Sequence, residues 1–152
     1  MARNDWVTFN EATYDVMNKV HDLSTGGDTL SVRLITNAAT QPAVDTATPR
    51  WADFSANECS QGGSYTTGGK TLTGVTLAHA AGVTTLDDTV NVLWTAAASS
   101  PEDIYWAVLV NDTASNLECL GFLDMGGPVS MIVNNVSITW NVGGILTLTR
   151  TA

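Results

Sequence analysis

Apolar positions in the first part of the chain recur every three or four residues. Phe9, Ala12, Val16, Val20 and Leu23 share one helical face, and Asn10, Asp15, Asn18, Lys19 and Asp22 take the other. Thr8 and Glu11 stand three residues apart, the spacing at which a capping hydroxyl and a carboxylate satisfy each other's backbone amides. A helix over residues 9–23 is predicted, closed by Gly26-Gly27. Beyond it the period drops to two. Residues 29–36 alternate, with Leu30, Val32 and Leu34 on one side. Residues 70–77 do so through Leu72, Val75 and Leu77, and residues 84–94 through Leu86, Val90, Val92 and Trp94. Residues 104–110 form a fully apolar run, as a strand buried on both faces does.

From there five short apolar pieces follow one another, punctuated by turn residues. Residues 104–110 are followed by the turn set 111–116, a return strand over 117–125 and a turn at Gly126-Gly127-Pro128. Residues 129–133 read as a strand, Asn134-Asn135 as a tight turn, and residues 136–140 and 145–149 as the last two strands. That is the pattern of an antiparallel β meander or sandwich, and it makes the fold class mainly β. The stretch 37–50 turns to Ala, Thr, Pro, Gln and Asp and is expected to be a loop or extended arm, with Pro42 and Pro49 in it. Residues 51–55 read as a short strand or a single helical turn, and residues 58–69 as a glycine-rich loop around Tyr65. With no internal repeat and no linker, residues 1–152 are expected to be a single domain, residues 1–27 forming an N-terminal arm and helix.

Composition narrows the function classes. Of 152 residues only 14% are charged, and 15 acidic residues against 6 basic ones give a net charge of −9. A binder of nucleic acid needs Lys and Arg to displace counterions, and an anionic membrane surface needs the same, so neither is an expected partner. A surface poor in charge and rich in Thr, Ser, Ala, Gly and Asn suits an ordinary β domain, and equally one that packs against neighbours. No apolar run approaches the ~20 residues that cross a bilayer, and no leader is expected behind Met1. Cys59 and Cys119 lie outside any metal-ligand spacing and are expected to be reduced and buried. Asn111-Asp112-Thr113 and Asn135-Val136-Ser137 match the glycosylation pattern but read more simply as turns.

Candidate chemistry is sparse. Gly69-Lys70-Thr71 invites a phosphate-loop reading, but Ser64 stands where the first glycine belongs and a strand, not a helix, follows. His21 and His79 are the only histidines, no nucleophile elbow is present, and Asp87-Asp88 reads as a charged turn before it reads as a Ca²⁺ site. No catalytic residue, cofactor or metal is expected. Five tryptophans, at 6, 51, 94, 106 and 140, would suit sugar stacking if exposed in a row, but 94, 106 and 140 lie among apolar neighbours in predicted strands and are expected in the core.

Several segments together resemble a family. They are Asp53-Phe54 with Glu58, the run 62–72 (Gly-Gly-Ser-Tyr-Thr-Thr-Gly-Gly-Lys-Thr-Leu), Ala107-Val108-Leu109-Val110-Asn111-Asp112, the run 120–127 (Leu-Gly-Phe-Leu-Asp-Met-Gly-Gly), and Ile138-Thr139-Trp140 before Gly143-Gly144-Ile145-Leu146. In this order of turns and strands, over a little more than half its length, the chain resembles the small virion proteins of tailed bacteriophages, the capsid decoration or cement proteins. The resemblance implies an antiparallel β-sandwich or jelly-roll-like domain, to which the N-terminal helix is an addition. It implies a non-enzymatic, often trimeric protein without a cofactor. Such a protein is made in the bacterial host cytoplasm and sits on the capsid exterior, clamping the major capsid protein. A tail-associated virion protein and a receptor- or carbohydrate-binding β module are the alternatives. Trp6, Phe9, Tyr14, Pro42, Trp51 and Tyr65 are the candidate interface residues; Trp6 either packs within the chain or reaches a neighbour.

Overall fold

In a computed structural model of the chain, residues 6–36 and 41–150 are described. Residues 37–40 of the expected arm and residues 1–5 ahead of the helix lie outside them. The architecture is mainly β with antiparallel sheets and an N-terminal helix, and its layering is sandwich-like. The strands divide among a five-stranded, a three-stranded and a two-stranded sheet.

The five-stranded sheet carries the core. Its order is β1 (Trp6–Thr8), β8 (Cys119–Val129), β7 (Ile104–Asn111), β2 (Leu30–Thr36) and β3 (Lys70–Thr71), every neighbour antiparallel. β2 and β7 are buried on both faces, which accounts for the unbroken apolar run at 104–110. Residues in register share a face. One row is Trp6, Leu123, Ala107 and Leu34; the adjacent row, on the opposite face, is Val7, Phe122, Val108 and Arg33. Over the second row lie Phe9, stacked on Phe54 and tilted against Phe122, and Trp51, whose ring centroid is 4.8 Å from the Arg33 guanidinium carbon. Arg33 is buried, and its charge is met by Asp112 at 2.6 Å, with the Ser31 hydroxyl accepting from Nε. Trp51 heads α2 (Trp51–Phe54), the helical turn that the sequence left open against a strand; a 3₁₀ turn at Ser55–Asn57 follows.

The two-stranded ribbon β6 (Val92–Trp94) and β9 (Val136–Ile138) adds its inward side chains to the same core. Its alternation is clean: Val92, Trp94, Val136 and Ile138 are buried, while Leu93 and Ser137 are exposed. Tyr65 packs against Trp94 and donates from its hydroxyl to Glu58 Oε1 at 3.0 Å. The third sheet is β10 (Leu146–Thr149), β5 (Val83–Asp88) and β4 (Val75–Ala80). Leu77, Leu86 and Leu146 stand in register on one face, with Leu86 fully buried. β4 and β5 meet at Ala81-Gly82, both at positive φ, the backbone of a two-residue type I′ hairpin.

Several expected boundaries move. The helix α1 spans Asn10–Met17, half the predicted length; at its start Thr8 is drawn into β1 and Phe9 takes the N-cap with no side-chain bond. It ends where Lys19 turns to φ 61°, with Lys19 N–H bonding Val16 O and Val20 N–H bonding Asp15 O, the paired bonds of a Schellman cap. The single strand expected over 84–94 is two strands in different sheets, parted where Asp88 Oδ1 accepts from the Gly74 and Val90 amides. The strand expected over 70–77 likewise breaks between β3 and β4. Gly126-Gly127-Pro128 is not a turn; β8 runs through it to Val129, and residues 130–133 turn where a strand was expected.

Candidate functional site

Four of the six candidate interface residues belong to the core. Phe9, Trp51 and Tyr65 are buried in the aromatic clusters above, so they have no surface to offer a partner. Pro42 is buried too. The stretch 41–50 is a strap rather than a free arm: Val44 O accepts from Asn10 N, Pro49 O from Cys119 N, and Arg50 bridges to Glu118. Each bond ties the strap to the helix or the sheet. Tyr14 is exposed at 59%, one turn from Met17 at 82%, and Trp6 is half-buried.

The residues weighed for chemistry do not converge. In the glycine-rich loop Glu58 Oε1 accepts from the Gly68 amide at 2.7 Å, so a carboxylate stands where a phosphate would have to, and Lys70 Nζ is tied to Leu93 O. His21 is buried, with Nδ1 2.9 Å from Asn111 Nδ2; Asp15 Oδ2 lies 3.9 Å from Nε2, too far for a hydrogen bond. Burial lowers the His21 pKa below its usual value, against the raising pull of Asp28 and Glu118. Asp15 is raised by burial, then by Glu11 and Glu118. His79 Nδ1 sits 2.9 Å from the Thr84 hydroxyl on exposed strands, and no third group orients the ring among the described residues. No cluster of three or more His, Cys, Asp or Glu among the described residues is placed to hold a metal, and no described helix is long and apolar enough to cross a membrane. Cys59 and Cys119 are free and buried, and burial pushes the Cys59 thiol up to about 12.

Two surfaces remain. The first is the face of the three-stranded sheet opposite Leu86. It carries Thr76, Ala78, Ala80, Val83, Thr85 and Thr147, with Asp87 the one charge among its register rows. Ala78, Ala80 and Thr147 are exposed, and β4 and β10 are the edge strands. The tip of the sheet, at His79, Gly82 and Arg150, borders an open concavity of about 580 Å³.

The second is a groove of about 410 Å³ where β1 and β8 face the end of β9. Trp6 and Trp140 form its aromatic part, edge to face with ring centroids 5.2 Å apart. Gly121 permits the seat of Trp6: a Cβ there would come within 2.6 Å of Val7 O and 3.0 Å of Trp6 Nε1. Ser137, Thr139 and Asn141 line the groove with exposed side chains. The sequence placed Trp140 in the core and left Trp6 open; their meeting across 134 positions is set by β1 adding to the β8 edge, which no local periodicity encodes.

Comparison of the chain with family models, curated proteins and solved structures finds no match.

Proposed function

We propose that this chain is a non-enzymatic virion structural protein, a decoration protein that binds the outer lattice of a bacteriophage capsid and stabilises the head as a homotrimer. The observation that carries the reading is the nearly uncharged face of the β10-β5-β4 sheet, on which Ala78, Ala80 and Thr147 are exposed, with an edge strand on either side. Charge is depleted at the centres of protein interfaces, and an edge strand accepts a partner strand through its main chain. The trimer and the capsid partner come from the resemblance in segment order. Tyr14 and Met17, exposed one helical turn apart on α1, add an apolar contact. A lasting grip on neighbouring subunits requires about 1,200–2,000 Å² of total buried area, which one sheet face with its edges and the helix contributes to jointly.

The test is co-sedimentation with expanded phage capsids stripped of their decoration protein, alongside light scattering of the free chain. The expected outcome is saturable binding, a particle that resists heat better, and a mass of three chains. Replacing Ala78 and Thr147 with Lys puts two charges on the exposed face and should abolish capsid binding while leaving circular dichroism unchanged. A chain that stays monomeric across micromolar concentrations and never sediments with capsids overturns the reading.

A further inference from the structure

The Trp6–Trp140 groove has a chemistry of its own. We propose that it is a binding site for a neutral saccharide.

Three features converge on that ligand class. The edge-to-face pair spends the edge of one ring on the face of the other and leaves an indole surface bordering the groove. The face of an indole is the negative pole of its quadrupole, and it attracts the weakly positive C–H groups that a pyranose presents on one side. The polar lining is unspent: the side chains of Ser137, Thr139 and Asn141 are exposed and hold no hydrogen-bond partner among the described residues. Two hydroxyls and one amide give both donors and acceptors, the set that vicinal sugar hydroxyls require.

Charge selects among saccharides. No ionisable side chain lines the groove, and the chain carries a net charge of −9, so sialylated, sulfated or uronic-acid glycans are repelled. A second hollow of about 520 Å³ shares Trp6, Asn141 and Gly144 and extends past Trp6 toward Asn10 and Thr13. Its continuity with the first favours an oligosaccharide over a single sugar, with Trp6 between two subsites.

The experiment is an array of neutral oligosaccharides (β-glucan, chitin, mannan and galactan fragments) beside sialylated and sulfated ones, followed by tryptophan-fluorescence titration of the best neutral hit. Binding of neutral fragments, rising with chain length and absent for the anionic ones, is expected. Asn141 is exposed and outside every strand, so Asn141→Ala leaves the fold intact and should weaken binding by about two- to tenfold, the loss of one hydrogen bond. Trp6→Ala should abolish it. An array without neutral hits from folded protein overturns the proposal, as does affinity unchanged in both variants, or a preference for the anionic glycans. Capsid binding is expected to be unaffected by Asn141→Ala, so the two readings stand or fall separately.

Discussion

At the scale of single residues, burial decides what the titratable groups can do. His21 accepts from Asn111 Nδ2, while Asn111 Oδ1 is held by the Thr113 and Ala114 amides and so cannot turn to receive a proton from a charged ring. Protonating His21 therefore breaks the one bond its ring makes. Its folded pKa lies below the 6.5 of the free side chain, so its contribution to stability is present above about pH 6.5 and is lost as pH falls through the lower folded value. Asp15 runs the other way: its raised pKa makes a contribution that is complete below 3.8 and lost as pH rises through the folded value. Urea midpoints measured from pH 8 downward should fall below about pH 6.5. In His21→Gln, which keeps an acceptor and loses the titration, that fall should disappear. A slope unchanged by the substitution would place its origin elsewhere. The sequence marked His21 as lying near the edge of a helix; its role is legible only once Asn111, ninety positions away, is set beside it.

At the scale of elements, competition for backbone hydrogen bonds redraws the boundaries that periodicity suggests. The apolar positions Val20 and Leu23 continue the helical spacing of Phe9, Ala12 and Val16, yet the helix stops at Met17 because Lys19 enters the left-handed region. Leu23 still packs inward from a loop while Val20 is left half-exposed, so the periodic pattern survives only in part once the helix is lost. A side chain in that conformation costs about 1 kcal/mol, and glycine escapes the steric part of it. Lys19→Gly should therefore stabilise the protein by about 0.5–1 kcal/mol, whereas Lys19→Ala, bearing the same Cβ, should change little. Paired thermal melts of the two variants decide it. Equal shifts would mean that the lysine head group, not the backbone, sets the effect. The same competition splits the 84–94 run: Asp88 captures the amides of Gly74 and Val90, and the chain changes sheets there although Val90 keeps the alternation.

At the scale of the whole molecule, the five-stranded sheet is assembled from segments distant in the chain, with β2 paired to β7 across some seventy positions and β1 paired to β8 across more than a hundred. Cys59 and Cys119 sit in that common core, so their thiols report its opening. Both are pushed up by burial, Cys59 to about 12, so neither should react with a disulfide reagent in the native protein at mildly alkaline pH. Two thiols should appear in denaturant, and native-state labelling should follow the rate or free energy of global unfolding. Fast labelling of Cys119 without unfolding would show that the strap over residues 41–50, whose Pro49 carbonyl holds the Cys119 amide, opens independently. What the sequence determined alone was the β class, the buried strand at 104–110, the start of a helix near Asn10 and the poverty of chemical motifs, because these follow from local periodicity and composition. Tertiary structure decided the rest. It chose which strands share a sheet, sent Phe9, Pro42, Trp51 and Tyr65 inward, and brought Trp6 to Trp140, because pairing partners are selected by the burial of whole faces and not by neighbours in the chain.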